Sequence, residues 1–223
     1  MTPRLPHLPR LARFTRDERG STLVEFAIVF VLFLVFLFGL IDFGRMAYNF
    51  VVADKAMQVA ARIAAVRPPA CAGVPEINGR GSLIGTPPYR FGTSCGEARG
   101  ICFEPADAVV TCEGNAANAT AAEIWSVIGG ALPSDARIDH LRFSYTFNPD
   151  LGFLGGPYTP DVTVELAGTA PGDEQLRFAF IHPLAGLLSM SGAGTSPGAL
   201  TSIPFPSMSV SLPGEDLAHG GGA

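Results

Sequence analysis

Charge is scarce in this chain. Asp, Glu, Lys and Arg make up 16% of its 223 residues, against roughly 25% in ordinary soluble domains. That shortage argues against a cytosolic helical enzyme and against a disordered acidic protein. Cysteine is missing from the first 70 residues, and the whole chain has a single Trp. No G-x-S-x-G, H-E-x-x-H or phosphate-cradling glycine loop with its lysine occurs, so common hydrolase, zinc-protease and nucleotide-binding chemistries lack their parts. With a formal charge of −5, the chain also lacks the basic surplus that draws proteins to nucleic acid. What it does have is glycine and proline, 26 and 19 residues, which point to a loop-rich body. The mean hydropathy is nevertheless +0.31.

The apolar surplus has an address. From Leu23 to Ile41 the sequence reads LVEFAIVFVLFLVFLFGLI, with Glu25 as its one ionisable group. As a helix at about 1.5 Å per residue it would measure about 28 Å, close to the hydrocarbon thickness of a bilayer. Phe26, Phe30, Phe33, Phe36 and Phe38 fall around the whole circumference, which a core helix of a soluble protein seldom shows. A cleaved secretory signal would have a shorter apolar stretch and a small-x-small site after it, and Asp42-Phe43-Gly44-Arg45-Met46 offers none. Residues 1–20 carry a net charge of +3, leaving −8 for the rest. The positive-inside rule therefore predicts a single-pass protein with a short cytoplasmic N-terminus and a large exported part.

Cys71, Cys95, Cys102 and Cys112 all fall in the exported part. An even number clustered there predicts two disulfides, with three connectivities open. No C-x-x-C or C-x-x-x-x-C pair supports the rival zinc site.

Past Ile41 the apolar pattern becomes one-sided. Met46, Phe50, Ala53, Met57, Ala60 and Ala64 recur at intervals of three and four, and Pro68-Pro69 closes the run. The spacing predicts one helix over 21–66, about 69 Å long, with possible bends at Gly39 and Gly44.

Glu25 is an expensive residue to place in an apolar run. Two readings stand side by side. If a peptidase cuts after Gly20, Ser21 gains a free ammonium group that Glu25 can attract, within the chain or across an assembly. Alternatively, Glu25 lies in the headgroup layer, where the helix dipole favours an acid.

The string Arg19-Gly20-Ser21-Thr22-Leu23-Val24-Glu25-Phe26 before the apolar run resembles the processing motif of type IV prepilins. Ile41-Asp42-Phe43-Gly44-Arg45 and Ala60-Ala61-Arg62-Ile63-Ala64-Ala65 resemble the TadE-like proteins of tight-adherence (Flp, type IVb) pilus systems, with Pro183-Leu184 and the strand before Leu212-Pro213-Gly214 fitting loosely. Phe26 stands where Flp major pilins usually have Tyr, and the chain is much longer than they are. The resemblance therefore implies a minor pilin or pseudopilin, matured by a prepilin peptidase at Gly20, Ser21, Glu25 and Phe26. Asp42, Phe43, Gly44, Arg45, Ala61 and Arg62 would be its helix-packing motif. Implied partners are inner-membrane lipid, the peptidase, other pilins or pseudopilins and the assembly platform, in a bacterial inner membrane with a periplasmic body. No cofactor, metal or catalytic residue is expected.

The expected fold is α+β and pilin-like: a long N-terminal helix on a small antiparallel sheet, with a stapled loop region. The segments are a basic leader (1–20), a span (21–41), an amphipathic extension (42–66), a Gly/Pro/Cys-rich loop region (67–118), an exported body (119–213) and a flexible tail (214–223). Thr120 and Glu123 form a capping-box pattern for a short helix ended by Gly129-Gly130. Strand-like alternation occurs at 141–147, 161–167, 176–181 and 207–212, the first three suggesting a meander. His140 beside Asp139 reads as a surface pair, Gly152 to Gly156 as a turn, Asn118-Ala119-Thr120 as a chance sequon, and His7, His182 and His219 carry no role. The alternative function is a membrane-tethered binding or hydrolytic domain without a pilus role.

Overall fold

The computed structural model describes residues 20–85, 87–167, 176–180 and 202–217. Residues 1–19 of the leader, Ile181, His182, Pro183-Leu184 and His219 lie outside them. One helix, α1 (Ser21–Val66), runs unbroken through the apolar run and its one-sided continuation. The described residues form two compact units. One holds α1 through Gly44 together with Phe180, and the other runs from Arg45 through Ala179 and resumes at 202–217.

In the first unit the helix is apolar and open. Phe26, Leu32 and Phe36 are exposed, as are most of their neighbours, while Gly39 and Asp42 are buried. Among the described residues, this is the one helix long and apolar enough to cross a membrane.

In the second unit, α1 buries its alanine face. Ala53, Met57, Ala60 and Ala64 are fully buried, as the spacing predicted, and Ala61 joins them. The partner surface is a four-stranded antiparallel sheet, built from β1 (Val109–Glu113), β2 (Leu141–Thr146), β3 (Asp161–Leu166) and, after two further strands, β6 (Met208–Pro213). Its order is β1-β2-β3-β6. Period-two alternation sends Leu141, Phe143, Tyr145, Val162, Val164 and Leu166 into the core that the helix covers. On the other face Thr111, Ser144, Thr163 and Ser211 align in register, with hydroxyl contacts Thr111–Ser144 (3.2 Å) and Thr163–Ser211 (3.0 Å). Burial on one face and hydroxyls on the other make this an α+β layer pair.

The expected meander needs two corrections. The strand near 176–181 is only β4 (Arg177–Ala179) and pairs with β5 (Ser202–Pro204) in a separate two-stranded sheet. Beside β3 lies β6, through the register Val164↔Val210. Also, β1 lies inside the region expected to be loop; cross-strand pairing with β2 and the Cys112 cross-link hold it there despite its poor burial.

A short helix, α2 (Ala119–Ile128), adds Ile124 and Ile128 to the core. Its N-cap is Asn118, whose side chain accepts from the Ala121 N–H at 2.9 Å. The capping-box expectation is thus corrected. The Thr120 hydroxyl donates to the Pro68 carbonyl at 2.7 Å, and Glu123 pairs with Arg67, at 2.9 Å between Nη2 and Oε1. Both side chains tie α2 to the chain just after α1 instead of closing their own helix. Gly129–Ala131 ends α2 as a 3-10 turn. Past β6, ordered packing continues beyond the expected tail boundary: Leu217 is fully buried, and the Glu215 N–H donates to the Ala65 carbonyl at 2.8 Å, capping the C-terminus of α1.

Candidate functional site

The residues singled out for processing stand at the head of α1. Gly20 precedes the helix, and a methyl group added there would meet nothing within 4 Å. Glu25 and Phe26 are both exposed, and the Phe26 ring stacks one turn on against Phe30, 5.7 Å between centroids. The exposed Glu25 carboxylate lies on the apolar part of the helix, where a partner or a headgroup could meet it. This end of the helix is a smooth apolar rod with one acid near its start.

The residues expected to form a packing motif fall in different environments. Asp42 is fully buried and Phe43 is 58% exposed. Gly44 has open space around it. Arg45, in the second unit, places its guanidinium over the Phe178 ring at 5.7 Å, a cation–π contact that fastens the helix to β4. Ala61 is fully buried whereas Arg62 is exposed. Ala61 thus belongs to the internal helix–sheet contact, and Arg62 faces outward.

The cysteines pair as Cys71–Cys112 and Cys95–Cys102, which leaves no thiolate for zinc. Cys71–Cys112 joins the segment after α1 to edge strand β1. Cys95–Cys102 closes a small second core with Ile101 and Leu154. In that second region the turn at Gly152 depends on glycine: its φ is +82°, and a Cβ would collide with the Asn78 amide and the Thr159 hydroxyl.

The bidentate Arg67–Glu123 pair lowers the Glu123 carboxyl from its ordinary value, mainly through the Arg67 hydrogen bonds, and raises the Arg67 guanidinium through the same contact. Burial raises the Tyr145 phenol against a smaller opposing effect of the Ala70 N–H that it accepts, and burial pushes Tyr158 up to about 12.

His140 corrects the surface-pair expectation. It is 1% exposed, closing the 3-10 turn Ile138–His140 rather than lying in a strand. Its Nδ1 accepts from the Arg137 N–H at 3.1 Å, with Asp139 Oδ1 at 3.5 Å. Asn118 is likewise engaged, its amide nitrogen donating to the Pro69 carbonyl at 3.3 Å as its oxygen caps α2. The Arg67–Glu123 link escaped the sequence reading because its partners lie 56 positions apart and carry no local pattern.

The family model described as TadE-like protein matches residues 20–62, from the glycine before α1 to Arg62 near its end. No curated protein and no solved structure matches the chain. The match covers most of α1 and stops short of the sheet.

Proposed function

We propose that this chain is a TadE-like pseudopilin: a structural component of tight-adherence (Flp, type IVb) pilus biogenesis, cut after Gly20 by a prepilin peptidase and not an enzyme. The observation that carries the reading is the coincidence, on one helix, of the TadE-like match, an exposed apolar rod with a lone acid at Glu25, and an alanine face buried under a disulfide-linked sheet. A peptidase acting at the membrane edge needs an accessible glycine and a helix it can hold in lipid. Gly20 and the run to Ile41 have the chemistry for both.

In this reading, the basic leader stays in the cytoplasm, α1 anchors in the inner membrane, and the sheet unit is periplasmic. The mature helix then packs against helices of other pilins or pseudopilins or against the assembly platform. The periplasm supplies the oxidising conditions under which two disulfides persist. N-terminal sequencing of the protein coexpressed with a prepilin peptidase tests the proposal. A start at Ser21 is expected, and an intact N-terminus beside an active peptidase would defeat the maturation step.

A further inference from the structure

The apolar run of α1 stops at Ile41, and Phe43 follows about 3 Å further along the axis. At that depth hydrocarbon gives way to headgroups, a position aromatic rings favour. Gly39 and Asp42, three residues apart on one helix face, are buried there although Phe43 remains 58% exposed. A residue far away in sequence also arrives at this point. Phe180, directly after β4, meets the Phe43 ring edge to face, with 6.1 Å between centroids and 65° between planes. Both rings belong to the unit that contains the apolar helix.

The composition around Phe180 suits the same environment. From Phe178 through Gly214 the sequence contains no Asp, Glu, Lys or Arg, a stretch longer than the apolar run itself. Bringing such sequence to a lipid surface desolvates no side chain of fixed charge.

We infer that the chain touches the bilayer at a second place: Phe180, seated on Phe43, lies in the outer headgroup layer and makes a lipid contact remote in sequence from the span. The inference rests on the anchoring role of α1 proposed above. Its consequence is a two-point attachment in which the ring at Phe180 limits how α1 can rotate or slide in the membrane.

The test uses the full chain in phosphatidylcholine vesicles whose acyl chains carry bromine either near the glycerol end or near the methyl end. In a Trp125→Phe background, Phe33→Trp and Phe180→Trp are compared. F33W should lose emission most to the deep bromines, and F180W most to the shallow ones. An F180W signal untouched by either lipid, with F33W quenched, overturns the second contact and leaves the anchor standing. An unquenched F33W overturns the anchor instead. Wild-type protein gives an independent readout that needs no substitution. With a photoactivatable phosphatidylcholine in the same vesicles, adducts should appear on Phe180 in the tryptic peptide beginning at Phe178, and adducts confined to residues 21–43 count against the proposal.

Discussion

Gly20 and Glu25 are both exposed, so substituting them separates processing from folding. A methyl at Gly20 meets no atom, and Glu25 is exposed. In the proposed maturation, Gly20→Ala should block leader removal while leaving both disulfides and the unfolding transition of the sheet unit unchanged; gel mobility beside a coexpressed peptidase, with calorimetry, reads the two effects separately. Glu123 gives a pH signature. Its carboxyl is held below the ordinary value near 4.3 by Arg67. A depressed folded value means that the pair stabilises above the unfolded pKa, and this contribution fades as pH falls through the folded one. Urea midpoints of wild type and Glu123→Gln should differ at pH 7 and converge in acid. Equal midpoints throughout would show that the pair adds nothing. These residues differ in legibility. The Gly20–Glu25 spacing stands in the sequence, whereas Glu123 looked like half of a capping box until its partner across 56 positions was seen.

At the scale of elements, α1 has two environments within one unbroken helix. Its apolar circumference up to Ile41 and its single alanine face beyond Gly44 were legible from periodicity alone, because the apolar residues fall on every side of the first part and on one side of the second. A charge in the first part should be costly: Val31→Arg adds about 2.5 to 3.5 kcal/mol against insertion, and the variant should partition into the carbonate-soluble fraction. A larger side chain in the second part should strain packing. Ala60 is fully buried against the sheet, so Ala60→Leu should lower stability by about 1 to 3 kcal/mol, as measured by denaturant unfolding. Strands β2 and β3 were equally legible from alternation. The neighbour of β3 was not, since pairing with β6 is a long-range choice and short connections favour the wrong candidate. The edge strand β1 escaped too: its five residues alternate only between exposed and partly buried, so the local pattern is weak.

For the molecule as a whole, the covalent links decide how the loop-rich region is held. Cys71–Cys112 encloses a sequence separation of 41 and joins the end of α1 to the sheet edge; Cys71→Ser with Cys112→Ser should cost about 2 to 4 kcal/mol. Unreduced peptide mapping should find 71–112 and 95–102 and no other pair. By itself the sequence determined what depends on composition and short-range order: the membrane-long helix, its change of face, the likeness to TadE-like proteins over 20–62 and the existence of two disulfides. Tertiary structure alone decided which cysteines pair, which strand borders β3, that His140 is enclosed and that Phe180 returns to Phe43. The division has a physical cause. Lipid solubility and helical periodicity are sums over neighbours along the chain, but pairing between distant residues is settled by competition among surfaces that exist only once the core has packed.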